Sequence, residues 1–173
     1  KGQNNGRYPG QDDIGQLKGT TPQPGRYTGS QIIAARLFGY SDSDISSPNP
    51  KSTNKYLEYK SHLLISKSST GANIPNNSMA DDSGTANALL YFPSRLNVTA
   101  PSECYKWNDN SIYITKNAPS AQFIFNENCA KDPKFSSPNN ARQPGGILII
   151  GTGANDVYLE RDNNDDITNW KVD

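Results

Sequence analysis

The chain has 173 residues with 17 basic and 17 acidic side chains, and this balance gives it no overall attraction for nucleic acid or an anionic membrane. The length suits one domain, residues 1–173. Hydrophobic residues make up only 33% of the chain, which is typical of a loop-rich domain with a small core. The sequence contains no run of about 18 apolar residues and no visible signal peptide.

The first predicted element is the end of a helix. Asn5-Gly6 is a helix-stop pair, and Arg7-Tyr8-Pro9 turns the chain into an extended stretch, because the residue before a proline disfavours helix. Residues 1–6 resemble an internal cut more than a natural start. We therefore expect any membrane anchor to lie upstream of residue 1.

A short helix is predicted over residues 31–38. Thr28 or Ser30 can cap its first turn, its apolar residues are consistent with one buried face, and Gly39 ends it. Residues 40–55 follow as a polar loop.

The next segment does not decide between strand and extended loop. Residues 56–60 alternate at first between apolar and polar side chains, whereas residues 62–65 do not. Residues 66–85 are rich in Ser, Asn and Gly and are expected to be exposed.

The second half of the chain predicts an antiparallel sheet of three to four strands. Residues 88–92 form one strand, residues 111–115 and 122–126 form a hairpin, and residues 146–151 form the most apolar strand. A helix followed by meandering strands indicates an α+β fold.

The two cysteines, Cys104 and Cys129, lie 25 positions apart. Neither is in a Cys-x-x-Cys motif, and His62 is the single histidine, so a thiolate zinc site is disfavoured. The alternatives are a disulfide and two buried thiols. The polar composition favours the disulfide, which would stabilise the chain by about 3 kcal/mol in the chain-entropy model.

Catalytic patterns are weak. His62 has no Gly-x-Ser-x-Gly elbow near it and is expected to be a surface or half-buried imidazole. Paired acids such as Asp12-Asp13 and Asp81-Asp82 could be the catalytic acids of a glycosidase, but in Gly/Ser-rich segments they are expected to be solvated turn residues. Nine tyrosines and two tryptophans could build a sugar-binding face, but a core role accounts for most tyrosines.

The C-terminal segment is the most informative. Oxygen-bearing side chains crowd there directly after the last predicted strand, and calcium takes six to eight such oxygens at flexible geometry. The EF-hand pattern is absent, so a different loop is implied. The alternative is a solvated acidic turn with Arg161 as its counter-charge. The candidate ligands are Asn155, Asp156, Asp162, Asn164, Asp165 and Asp166.

These residues also carry a resemblance. Gly153-Ala154-Asn155-Asp156 followed by a loop and Asp166-Ile167-Thr168-Asn169-Trp170 resembles the C-terminus of the major pseudopilins of type II secretion systems. Arg7-Tyr8-Pro9 resembles the end of the family's N-terminal helix, and residues 82–91 resemble the segment that enters its first strand. Residues 28–39 look like a helix of large pilin-like relatives. The chain departs from the family at Asp156, which replaces a glycine, and in two apparent insertions and the cysteine pair.

The resemblance implies a pilin-like fold: the remnant of an N-terminal helix, a short helix in the following loop, an antiparallel sheet and a C-terminal loop that binds Ca²⁺. It implies a structural filament subunit without catalytic activity. The partners would be copies of the chain, minor pseudopilins and the inner-membrane assembly platform. The domain would be periplasmic or in a cell-surface filament, held in the membrane through the missing helix and subject to prepilin cleavage and methylation. A secreted calcium-stabilised binding module, for example one for carbohydrate, is the main alternative, and an extracellular hydrolase is a lesser one.

Overall fold

The computed structural model describes residues 8, 10–11, 27–39, 56–58, 61–67, 73–81, 87–114, 118–132, 140–142, 144–153, 156–159 and 167–169. Within these ranges the fold is mixed α+β, as the sequence predicts, with three short α-helices and two small antiparallel sheets. The helices are α1 (Gly29–Phe38), α2 (Pro101–Cys104) and α3 (Ala118–Ile124). The strands are β1 (Leu64–Lys67), β2 (Asn73–Met79), β3 (Leu90–Pro93), β4 (Ile147–Gly151) and β5 (Ile167–Thr168).

Helix α1 confirms the predicted helix. Thr28 and Gln31 form a reciprocal capping box, in which the Thr28 side chain accepts from the Gln31 amide and the Gln31 side chain accepts from the Thr28 amide. Gly39 ends the helix in the left-handed conformation, with φ 71°. The caps satisfy backbone groups that a short helix would otherwise leave open.

The larger sheet has the order β3–β4–β5, with both pairs antiparallel. Strands β3 and β4 lie where residues 88–92 and 146–151 predict them. All four residues of β3 are buried, and α1 packs against β3 as well as β2. A strand buried throughout is covered on both faces.

The smaller sheet was missed in part. Residues 62–65, which the pattern left undecided, run from a 3-10 turn at Ser61–Leu63 into β1. Strand β2 falls in the stretch expected to be exposed, and its Ser78 is fully buried. The strand pair contains a register shift between Ile65 and Lys67, which is the kind of bulge that obscures an alternating pattern.

The predicted hairpin is wrong. Ser111–Tyr113 is a 3-10 turn, and the second half is α3 continued by a π-helical segment, Phe125–Ala130. A strand would place Phe123 and Phe125 on one face, but Phe123 is 67% exposed and Phe125 is fully buried. Helical spacing instead buries Ala121, Ile124 and Phe125 together, so tertiary burial overrides the β propensity of the sequence.

Two apolar clusters hold the described part of the chain together. The smaller lies between α1 and the β1–β2 sheet and includes Ile32 and Phe38. The larger lies under β3 and β4 and collects residues from α2, α3 and the π-helical segment, including Phe92 and Phe125 with ring centroids 4.5 Å apart.

Polar contacts connect the two clusters. The buried Asn110 side chain accepts from the Ser30 amide at 3.1 Å and donates to the Tyr91 carbonyl at 2.8 Å, joining α1 to β3. Arg95 lies just beyond β3 and makes two 2.9 Å contacts with the Asp109 carboxylate, which is itself buried. Such fully satisfied buried groups fix one arrangement of the elements around them.

Candidate functional site

The candidate site begins where β4 ends. Thr152 follows Gly151 and is fully buried, and both its amide and its hydroxyl donate to Asp81 Oδ2, at 3.1 and 2.8 Å. A carboxylate oxygen that receives two hydrogen bonds is held in place. The segment between β2 and β3 therefore fixes the start of the acidic loop.

A second contact reaches further into the loop. The Asn87 side-chain amide donates to Asp156 Oδ1 at 3.2 Å and to Thr152 Oγ1 at 3.5 Å. Asn87 is only 6% exposed, so its amide is positioned by the protein and not by solvent. It orients one oxygen of the only predicted metal ligand that lies within the described residues.

The loop then folds back over the core. Asp156 and Leu159 have φ values of 63° and 56°, a conformation that aspartate tolerates and leucine rarely adopts. The strain at Leu159 is accompanied by burial of Tyr158 and Leu159 in the larger cluster, and the Tyr158 hydroxyl donates to the Ala88 carbonyl. Apolar burial offsets the backbone cost here.

The far end of the acidic segment, β5, pairs with β4, the strand that precedes the segment. In β5, Ile167 lies opposite Gly151 and Thr168 opposite Ile150. This pairing holds the described residues of the C-terminal segment beside β4. Residues 152–166 thus connect two neighbouring strands, β4 and β5.

The predicted calcium ligands are only partly described. Asp156 is half-buried at the start of the loop, whereas Asn155, Asp162, Asn164, Asp165 and Asp166 lie outside the described residues. Among the residues that the structure does describe, no group of three or more His, Cys, Asp or Glu side chains is arranged to hold a metal. The calcium site stays a prediction.

The donor chemistry of the predicted set fits calcium. Its carboxylate and amide oxygens are hard donors, which suit Ca²⁺ and not a soft metal. The one described member, Asp156, has Oδ1 held by an Asn87 amide, as outer-shell partners hold the ligands of metal sites. An ion bound there would neutralise the repulsion among neighbouring carboxylates.

Sequence reasoning missed two residues that shape the loop. Asp81 was expected to be a solvated turn residue, but it is half-buried and bonded to Thr152. Asn87 appeared only as part of the family resemblance. The one signal in the sequence is that resemblance itself, since its segment 82–91 leads into β3, the strand beside β4.

The remaining predicted features have simpler outcomes. His62 is exposed, which confirms the expectation of a surface imidazole. Cys104 and Cys129 are both buried in the larger cluster and stand as two thiols, so the disulfide is not formed in this structure and stays a prediction. Burial raises the pKa of the Cys104 thiol above its ordinary value.

Comparison with known proteins identified no relative of the chain. No family model, curated protein or solved structure matches the chain. Within the described ranges, no helix combines the length and apolar character needed to cross a membrane.

Proposed function

We propose that the chain is the globular domain of a structural subunit of a pseudopilus or type IV pilus-like filament, stabilised by calcium in its C-terminal loop. The observation that carries the proposal is the pairing of β5 with β4. It brings the end of the acidic segment back beside the last long strand of the sheet, and the resemblance to major pseudopilins implies a calcium loop in that segment.

The contacts at the start of the loop support a binding role for it. Asp81 and Asn87 hold Thr152 and Asp156 by side-chain hydrogen bonds. A loop fixed at both ends loses less conformational entropy when an ion orders its interior. The proposed ligands are Asn155 and Asp156 at the start, Asp162 and Asn164 further along, and Asp165 and Asp166 as the firmest members at the end.

In this proposal the subunit catalyses no reaction. An apolar N-terminal helix upstream of Lys1 anchors the precursor in the inner membrane and packs in the filament core, and the described domain faces outward. Neighbouring copies contact the calcium-fixed loop. The other partners are minor pseudopilins and the assembly platform.

The first prediction concerns calcium and stability. Adding Ca²⁺ should raise the melting temperature and adding EDTA should lower it, because an ion that binds only the folded state stabilises that state by mass action. The expected gain is about 2.7 kcal/mol when free calcium is roughly 100 times Kd. Differential scanning calorimetry with a calcium titration measures it.

Two variants make this test specific. The double variant Asp165→Ala with Asp166→Ala should abolish the calcium effect. The double variant Glu103→Ala with Glu127→Ala removes two carboxylates that are exposed on the helices and should leave the effect intact. A melting temperature that responds to neither calcium nor EDTA in the unmodified chain contradicts the site.

Assembly is tested separately from metal binding. The full precursor, expressed with a prepilin peptidase and an assembly platform, should yield filaments that electron microscopy detects, and the Asp165→Ala/Asp166→Ala precursor should yield few. Calcium binding without filaments would favour the secreted calcium-stabilised module. The gene upstream of Lys1 gives an independent readout: an apolar helix with a glutamate at the fifth mature position supports the filament subunit, and an ordinary cleaved signal peptide supports the module.

A further inference from the structure

The side chain of Asn169 makes an unusual contact with the sheet. Asn169 directly follows β5, and its side chain lies along the outer edge of β4. The Ile149 amide donates to Asn169 Oδ1 at 2.8 Å, and Asn169 Nδ2 donates to the Ile147 carbonyl at 3.1 Å. The Asn169 backbone amide donates to the Ile149 carbonyl at 3.4 Å.

The register shows what this amide replaces. With Ile150 opposite Thr168 and Gly151 opposite Ile167, Asn169 is the residue opposite Ile149. In a continuing antiparallel strand, the Ile149 amide would pair with the Asn169 carbonyl, and the Ile147 carbonyl would pair with the amide of residue 171. The Asn169 side chain supplies both an acceptor and a donor, so it takes the place of the backbone carbonyl of residue 169 and the backbone amide of residue 171.

The position of Asn169 beside β4 matters because β5 is much shorter than β4. Strand β5 has only two residues, whereas β4 has five and is the most apolar of the strands that the structure describes. Among the described residues, Asn169 alone contacts the outer edge of β4 at Ile147 and Ile149, so its loss would leave the backbone donor and acceptor that its side chain holds there without those partners. Such an edge is a template for pairing with a strand from another molecule.

We propose that the Asn169 side chain closes the outer edge of β4 and thereby keeps two copies of the domain from joining β4 to β4. The occupant that it excludes is a second copy, because two β4 edges are complementary to each other in an antiparallel pair. The proposal stands on the three contacts of Asn169 and does not depend on calcium or on a filament.

The test uses Asn169→Ala in the whole chain. Amide exchange by NMR should show the Ile149 amide exchanging at least ten-fold faster than in the unmodified protein. The Leu148 and Ile150 amides alternate toward β3 and should keep their protection. Analytical ultracentrifugation should show a dimer or larger species that grows with concentration, where the unmodified protein is a monomer.

Three companion variants locate the effect. Asn169→Gln retains an amide and should restore at least part of the protection and of the monomer. Asn128→Ala removes an exposed asparagine from the π-helical segment and should change neither readout. Adding Ile149→Lys to Asn169→Ala places a charge on each β4 strand and should return the protein to a monomer by repulsion across the pair.

Two results overturn the proposal. One is an Asn169→Ala protein whose Ile149 amide stays protected. The other is a protein whose Ile149 amide is exposed to exchange but which remains a monomer at every concentration. If the Leu148 and Ile150 amides also lose protection, the alanine variant is misfolded, and Asn169→Ser, whose hydroxyl cannot reach both backbone groups, decides the question with the same two measurements.

Discussion

At Gly29 the backbone of α1 lies close against β3 of the larger sheet. A Cβ built on it would lie 1.8 Å from the Tyr91 carbonyl oxygen and 2.8 Å from the Asn110 side-chain nitrogen. Backbone cannot be displaced from such a contact as cheaply as the end of a flexible side chain. The close contact therefore requires glycine at position 29. The hydrogen bonds of Asn110 to Ser30 and Tyr91 depend on the same close approach.

We predict that Gly29→Ala destabilises the fold by about 3 kcal/mol or more, because α1 must move away from β3 and the buried Asn110 loses partners. Urea denaturation followed by circular dichroism measures the loss. Gly145→Ala is the matched control: its φ is 80°, but a Cβ there meets nothing within 4 Å, so only the backbone cost of about 1–2 kcal/mol applies. Equal losses for the two variants would show that the contact with Tyr91 is not limiting.

At the scale of elements, the sequence predicts what local patterns control. The capping residues and Gly39 locate α1, and the continuous apolar run locates β4. The segment around Phe123 and Phe125 has the composition of a strand, yet it is helical because the core selects Ala121, Ile124 and Phe125 from it. That selection depends on neighbours that are distant in sequence, and for the same reason the contacts of Asp81 and Asn87 with the acidic loop could not be derived from local spacing.

The packing of α2 against the π-helical segment supports a prediction about the cysteines, which lie at Cys104 in α2 and Cys129 in that segment. We predict that refolding under oxidising conditions forms the Cys104–Cys129 disulfide and raises stability by about 3 kcal/mol. Because burial raises the pKa of Cys104, little thiolate is present in the folded protein, and oxidation after folding should be slow.

Peptide mapping by mass spectrometry without reduction detects the bridge, and chemical denaturation measures its effect. The Cys104→Ala/Cys129→Ala variant serves as the control, since oxidant should not change its stability. Recovery of both cysteines as alkylated thiols from protein refolded with oxidant would contradict the prediction.

For the whole molecule, buried tyrosines limit the stability of the folded state at alkaline pH. Burial is the largest cause that raises the pKa values of Tyr91, Tyr105 and Tyr113 above the ordinary value of 10.0. The unfolded chain releases these protons near about pH 10, while the folded protein keeps them to higher pH. The folded state therefore binds more protons in that window, and stability falls as the pH rises through it.

We predict a loss of about 1.4 kcal/mol per pH unit for each of these tyrosines above about pH 10, with no contribution from them below it. Denaturant titrations across that range, together with tyrosinate absorbance, measure the slope. Tyr113→Phe should reduce the slope, because it removes one of the three buried hydroxyls. A stability that stays flat well above pH 10 would be inconsistent with protonated tyrosines in the core.

The pairing of Gly151 with Ile167 also affects how well the protein tolerates insertions between these two residues. An insertion after Leu159 leaves in place the contacts of Thr152 and Asp156 and the burial of Tyr158 and Leu159. Because both ends of residues 152–166 are held at one interstrand spacing, such an insertion alters mainly the entropy of ring closure, and even a doubling of the ring costs only about 0.6 kcal/mol. An ion gripped inside the ring would remove that tolerance, since each added residue would shift its ligands. Tolerance of insertions between Gly151 and Ile167 therefore distinguishes a segment that only connects the two strands from one that also binds an ion.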